Sequence, residues 1–119
     1  MKLVDTLLNT SEADCDLLRK NLTLGDDPEL PRDIDFTLHA KTEERAQLIC
    51  DFVTDNHYGR PSYQRFDHDD GSVLWTLSIV IHSPTTEHVI CTLSAFMACL
   101  AQLYDLDYDG WGSVIRKSA

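Results

Sequence analysis

Residues 104–113, YDLDYDGWGS, place aspartates at alternate positions 105, 107 and 109, followed by a glycine at 110. Oxygen ligands at loop positions 1, 3 and 5, with glycine at 6, open an EF-hand calcium loop. A bidentate glutamate at position 12 closes it. Here position 12 is Arg116, a cation where the metal needs a two-oxygen anion. The spacing therefore reads as a helix end, a turn and a last strand, and no metal site is expected.

The remaining reactive residues point the same way. His68 lies among Asp67, Asp69 and Asp70, but the run 67–71 ends in Asp-Gly and has the composition of a solvated turn. His82 and His88 flank a helix start without zinc-type spacing, and His39 and His57 stand alone. Ser72, Ser78 and Ser94 lie in no G-x-S-x-G pattern, and no glycine-rich phosphate loop is present. The reading is a non-enzymatic protein with no catalytic residue and no cofactor. Cys15, Cys50, Cys91 and Cys99 form no Cys-x-x-Cys pair. Cys91 and Cys99 are too far apart along a straight helix to bridge. Reduced thiols of a cytoplasmic protein are expected.

Charge narrows the partner. Twenty acids against 10 bases give a formal net charge of −10. That repels phosphate backbones and disfavours direct nucleic-acid binding, while it suits a basic protein partner. No apolar run reaches the ~20 residues of a membrane span. The opening MKLVDTLLNTSEADCD turns acidic at Asp5, unlike a secretion signal. At 119 residues, a single domain over 1–119 is expected.

The elements that must position these residues follow from periodicity. Ser11 is the expected N-cap of a first helix carrying Asp14, Leu17 and Leu18, which ends in the loop at Gly25–Pro28. Residues 32–39 alternate, with Ile34, Phe36 and Leu38 on one side and Asp33, Asp35, Thr37 and His39 on the other. Thr42 caps a second helix with the stripe Ala46, Ile49, Phe52 and Val53. It stops near Asn56, with Gly59 available for a positive φ. Residues 62–66 read as an edge strand and 67–71 as a hairpin turn. Residues 73–82, VLWTLSIVIH, are the most apolar strand. Ser83 and Pro84 are the expected N-cap and first residue of a third helix with the stripe Val89, Leu93, Phe96, Met97, Leu100 and Leu103 or Tyr104. A last strand covers 108–115.

After the first helix the order is strand, helix, strand, strand, helix, strand. With right-handed crossovers this predicts an α+β ferredoxin-like sandwich (βαββαβ) with an additional N-terminal helix, and with 32–39 and 73–82 at the sheet's centre. The open face would carry Asp33, Asp35 and Thr37 beside Leu74, Thr76, Ser78 and Val80, partly covered by the N-terminal helix. Strict alternation in the last strand would set Asp109, Trp111 and Ser113 against Tyr108, Gly110 and Gly112. Core packing and interface anchoring weigh about evenly for Trp111.

Tyr-Asp-Gly-Trp at 108–111, after a long helix and Tyr104-Asp105, resembles the end of the regulator of ribonuclease activity B (RraB) family. The segment from Asp26 to Phe36 resembles that family's first loop and strand. KTEERAQLICDFVTDNHYG, residues 41–59, resembles its next helix and glycine turn. The likeness covers roughly residues 10–115. It departs where the family's inhibitor carries a strongly acidic tail, since residues 116–119 read Arg-Lys-Ser-Ala. The resemblance implies a protein that binds and restrains ribonuclease E, with Asp33, Asp35, Asp107, Tyr108, Asp109 and Trp111 as candidate partner-binding residues. The alternative is an interaction module of the same fold that binds another protein or homodimerises through its sheet.

The ligand rule makes one prediction. Calcium leaves the melting temperature unchanged, as scanning calorimetry with and without the ion will measure. Micromolar binding that is lost in Asp105→Ala would restore the calcium loop.

Overall fold

The computed structural model describes residues 2–118. Seven elements run in the order α1 (Lys2–Thr23), β1 (Arg32–Ala40), α2 (Glu43–Asp55), β2 (Arg60–Asp67), β3 (Val73–Ser83), α3 (Glu87–Tyr104) and β4 (Asp107–Gly112). The strands form one sheet in the order β2-β3-β1-β4, and every neighbouring pair is antiparallel. This is the ferredoxin-like arrangement, with β1 and β3 central and β2 at an edge, as the hydrophobic patterns require.

Alternation in β1 buries Ile34, Phe36 and Leu38 completely. Their partners in β3 are Ile81, Ile79 and Leu77. Against this face α2 presents Ala46, Ile49 and Val53, and α3 presents Ile90 and Met97, all fully buried. Thr42 caps α2 as its spacing predicts, its hydroxyl accepting from the Arg45 amide at 3.3 Å. The turn after α2 uses two positive φ values, 58° at His57 and 152° at Gly59. A Cβ at Gly59 would lie 3.0 Å from Ile79, Ile81 and the Val80 carbonyl, so only glycine lets β2 start this close to β3.

The structure differs from the sequence reading at several points: β2 spans Arg60–Asp67 instead of 62–66, and the last strand, expected over 108–115, runs Asp107–Gly112. Ser11 is not an N-cap, because α1 begins at Lys2 and Ser11 lies inside it with its hydroxyl 3.9 Å from Cys91 Sγ. Leu3 and Leu7 extend the half-buried stripe upstream, and packing along α3 outweighs the local capping preference of serine. Ser83 and Pro84 do not open α3 either. Ser83 still pairs with Arg32, and the Thr85 amide donates to the Pro28 carbonyl at 2.9 Å, which holds this stretch extended until the N-cap at Thr86. The buried stripe of α3 is also rotated. Ile90, Ser94, Ala98 and Ala101 join the expected Met97 and Leu100 in it, Leu93, Phe96 and Tyr104 pack partly against the core, and of the two expected end residues Leu103 is 76% exposed. Small residues let α1 approach the flank of α3, an opportunity that a search for large apolar residues overlooks.

The α1–β1 loop carries a buried ion pair. Arg32 and Asp26 are 3% and 8% exposed, and their side chains are bonded to each other. The Arg32 guanidinium also donates to the carbonyls of Asp27 at 2.6 Å, Leu30 at 3.0 Å and Val114 at 3.1 Å. Asp26 accepts in turn from the Arg116 amide at 2.9 Å. Removing one member leaves the other charged and buried. Arg32→Ala should therefore destabilise the protein by about 3–5 kcal/mol, readable from urea denaturation. A loss under about 1 kcal/mol would place the pair among weak surface bridges instead.

Candidate functional site

Residues directly opposite in an antiparallel ladder share a face. On the side away from the helices, Asp33 meets His82, Asp35 meets Val80, Thr37 meets Ser78 and His39 meets Thr76. From β2 this face receives Arg60, Ser62 and Gln64. From β4 it receives Asp107, Gly110 and Gly112. No helix fills the space beyond Gly110 or Gly112, where an added Cβ would meet nothing within 4 Å.

The polar groups on this face are linked across strands. Asp33 accepts from Arg60 at 2.9 Å and lies 3.0 Å from His82 Nδ1. The His82 contact, then the Arg60 contact, holds the Asp33 carboxyl below its ordinary value. Ser78 donates to Asp35 at 2.6 Å. His39 bridges Thr76 and Asp109, each at 3.3 Å. Four carboxylates, those of Asp33, Asp35, Asp107 and Asp109, thus line a shallow sheet surface, and by the same parity Phe66, 52% exposed, and its partner Leu74 lie on this face near the β2 edge. Alternation in β1 placed His39 on this side with Asp33 and Asp35, as the register confirms. Arg60 and His82 were not assigned to it and are placed by the strand register.

The structure does not bring Tyr108 and Trp111 to this face. Between Thr37 and Leu38 the β1–β4 register shifts, so that Tyr108 opposes Leu38 and Trp111 opposes Phe36. Gly110 sits in this bulge with φ 104°. One extra residue cancels strict alternation, and both aromatics turn toward the helices. The expected covering of the open face by α1 is also corrected. That helix packs chiefly on α3, and its contact with β4 is made from the helix side.

On that side the Trp111 indole donates to Asp14 Oδ1 at 3.0 Å. Ser94 and Tyr108 share a 2.7 Å hydroxyl contact beside it. Asp14 is 4% exposed, and its Oδ2 has no hydrogen-bond partner among the described residues. Burial pushes the Asp14 carboxyl up, against the opposing effect of the Ser94 hydroxyl and the indole N–H. Burial likewise raises the Tyr108 phenol.

The three aspartates that mimic a calcium loop are separated by conformation. Asp105 is the left-handed C-cap of α3, and Asp107 and Asp109 belong to an extended strand. Among the described residues, no group of three or more His, Cys, Asp or Glu side chains is placed to hold a metal ion. The helix α3 is long and apolar enough to cross a membrane by length and composition, but it packs here between the sheet and α1.

A four-stranded antiparallel sheet with helices on one side and, among the described residues, an uncovered polar surface on the other defines a ferredoxin-like α+β domain. Residues 11–113 match the family model described as regulator of ribonuclease activity B. The chain belongs to that family of regulators. No curated protein matches the chain.

The Asp14 arrangement has a pH signature. A carboxyl raised in the folded state contributes its full stability below its unfolded value of 3.8 and loses it as pH rises through the folded value. Asparagine keeps the acceptor for Trp111 and carries no charge. Asp14→Asn should thus gain on the parent protein as pH rises from 4 toward neutrality, in melting curves taken across that range. A gap between the two that stays constant with pH would show that Asp14 does not titrate in this window.

Proposed function

We propose that this protein inhibits ribonuclease E in the cytoplasm through direct protein–protein contact, without cleaving RNA itself. The observation that carries the reading is the alignment of Asp33, Asp35, Asp107 and Asp109 on one uncovered sheet face. Family membership supports a regulatory partner, and the acidic face supports a basic segment of the nuclease assembly as what docks there. Arginine and lysine of such a segment would compete with Arg60 for Asp33 and reach Asp35 over the flat floor left by Gly110 and Gly112. Charge of this kind acts mostly on encounter, by raising the association rate. A disordered basic segment would gain contacts while losing chain entropy, so an extended face without a deep pocket is suitable. Two copies of the face repel one another, which favours a foreign basic partner over homodimerisation through the sheet.

The test is surface plasmon resonance against ribonuclease E at several salt concentrations. Association should slow as salt rises, because exposed charges are screened over about 8–10 Å near physiological ionic strength. Asp33→Lys with Asp35→Lys should slow association by about tenfold or more while dissociation changes little. Binding that is indifferent both to salt and to this double reversal would remove the sheet face from the mechanism.

A further inference from the structure

The helix layer has an outer surface of its own, and it is apolar. On α2, Leu48 is 50% exposed, and Phe52 follows it one turn later on the same side. On α3, Phe96, Cys99 and Leu103 follow one another at helical spacing, with Leu103 76% exposed. Tyr58 joins the two lines. Its ring centroid lies 5.5 Å from that of Phe52 and 5.0 Å from that of Phe96, and the residue is 42% exposed. The positive φ of His57, at 58°, turns the chain so that this tyrosine lies between the two phenylalanines. The outcome is an apolar surface whose two lines are joined by the aromatic cluster at one end, while Leu48 and Leu103 lie toward the other, where Arg45 reaches the Tyr104 carbonyl. Such surfaces mark binding sites more often than chance exposure.

Charge says what covers the strip. Glu44, Asp51 and Asp55 are exposed and stand two turns and then one turn apart along the flank of Leu48 and Phe52. The one Lys or Arg on either helix is Arg45. Its guanidinium is committed to the Tyr104 carbonyl at 2.6 Å and lies 3.9 Å from Asp105. An apolar strip rimmed by carboxylates, with no free cation on its helices, complements an amphipathic helix that has leucine-like residues on one face and Lys or Arg beside them. The same rim opposes an anionic membrane and a second copy of the strip.

We infer that the outer face of α2 and α3, from Leu48 through Phe52, Tyr58 and Phe96 to Leu103, docks a cationic amphipathic helix of a partner protein. This site lies on the side of the molecule opposite the acidic sheet face and stands independently of the ribonuclease E reading. Apolar anchors would enter beside Tyr58, and the flanking cations would meet Glu44, Asp51 and Asp55. Burial of the aromatic cluster lowers the dissociation rate, in contrast to the sheet face, where charge acts on association.

The probe is a synthetic Leu/Lys peptide of about 18 residues with leucines at helical spacing, compared with a scramble of equal composition. Titration into the isotopically labelled full chain, followed by NMR, should move the resonances of Leu48, Tyr58, Phe96 and Leu103. The ordered peptide should bind at least about tenfold tighter than the scramble, since only it presents a continuous apolar face. Leu48→Gln and Leu103→Gln should each weaken it by about tenfold with an unchanged melting temperature, because both side chains are already exposed. Asp33→Lys with Asp35→Lys should leave the affinity of the ordered peptide within about twofold, because those charges lie on the other face. Equal binding of the two peptides, or shifts confined to the open sheet face, would overturn the site while leaving the sheet-face reading intact. Two further results would overturn the assigned occupant: a dimer that Leu103→Gln dissolves, seen by light scattering, or binding to anionic lipid vesicles that the same change abolishes.

Discussion

The buried Arg32–Asp26 pair is the constraint on which the rest of the molecule depends. Arg32 is the first residue of β1, a central strand, and its guanidinium holds carbonyls from the preceding loop and from Val114 after β4. Asp26 fixes the returning chain through the Arg116 amide, and the Asp27 amide donates to the Arg116 carbonyl at 2.7 Å. One ion pair therefore joins the α1–β1 loop and the segment after β4 to the start of the core. A guanidinium out of water is tolerable only when its donors find acceptors in fixed places. That requirement sets the path of the α1–β1 loop, and the loop sets where α1 lies. The Pro28 carbonyl of the same loop receives the Thr85 amide, so the entry to α3 is determined from here as well.

A second constraint is the bulge in β4. Without it, Tyr108 and Trp111 would fall on opposite faces of the sheet. With it, both reach the helix side, where Trp111 ties β4 to α1 through Asp14 and Tyr108 ties it to α3 through Ser94. Glycine at 110 permits the backbone conformation, and its missing side chain also leaves the opposite face flat. The Tyr-Asp-Gly-Trp sequence thus performs two tasks at once. Its aromatics anchor the appended helix, and its glycine and aspartate shape the open face of the sheet.

The two outer surfaces differ in physical character, and so does what each can contribute to binding. The sheet face carries carboxylates paired with basic and hydroxyl side chains, and its large exposed apolar side chain, Phe66, sits near the β2 edge. This face can attract and orient, but exposed charge pairs add little lasting affinity. The outer face of α2 and α3 carries leucines and an aromatic cluster, which can retain what has arrived. A regulator that engages a charged, flexible target can use both, since steering and retention are separate terms in affinity.

Sequence by itself determined most of the architecture. Period-two alternation at 32–39 and the apolar run at 73–82 fixed which strands are central and which face of β1 is buried. Asp-Gly at 70–71 fixed the hairpin, and Thr42 fixed the start of α2. These features are local, because each depends on side-chain period or on the backbone preferences of one or two residues. What only the tertiary structure decided is equally specific. The burial of Arg32 with Asp26, the rotation of α3 toward its small residues, the start of α1 at Lys2 and the shared face of Tyr108 and Trp111 all depend on a neighbour distant in the chain. A charged residue in a loop looks solvated until a partner more than 80 residues away, such as Val114, closes over it. Alternation likewise predicts a face only while the register holds, and a bulge of one residue reverses every position beyond it. The candidate site was therefore half legible. Asp33 and Asp35 could be placed from β1 alone, whereas Arg60, His82 and the separation of Asp109 from Trp111 came from pairing between strands, which no single segment encodes.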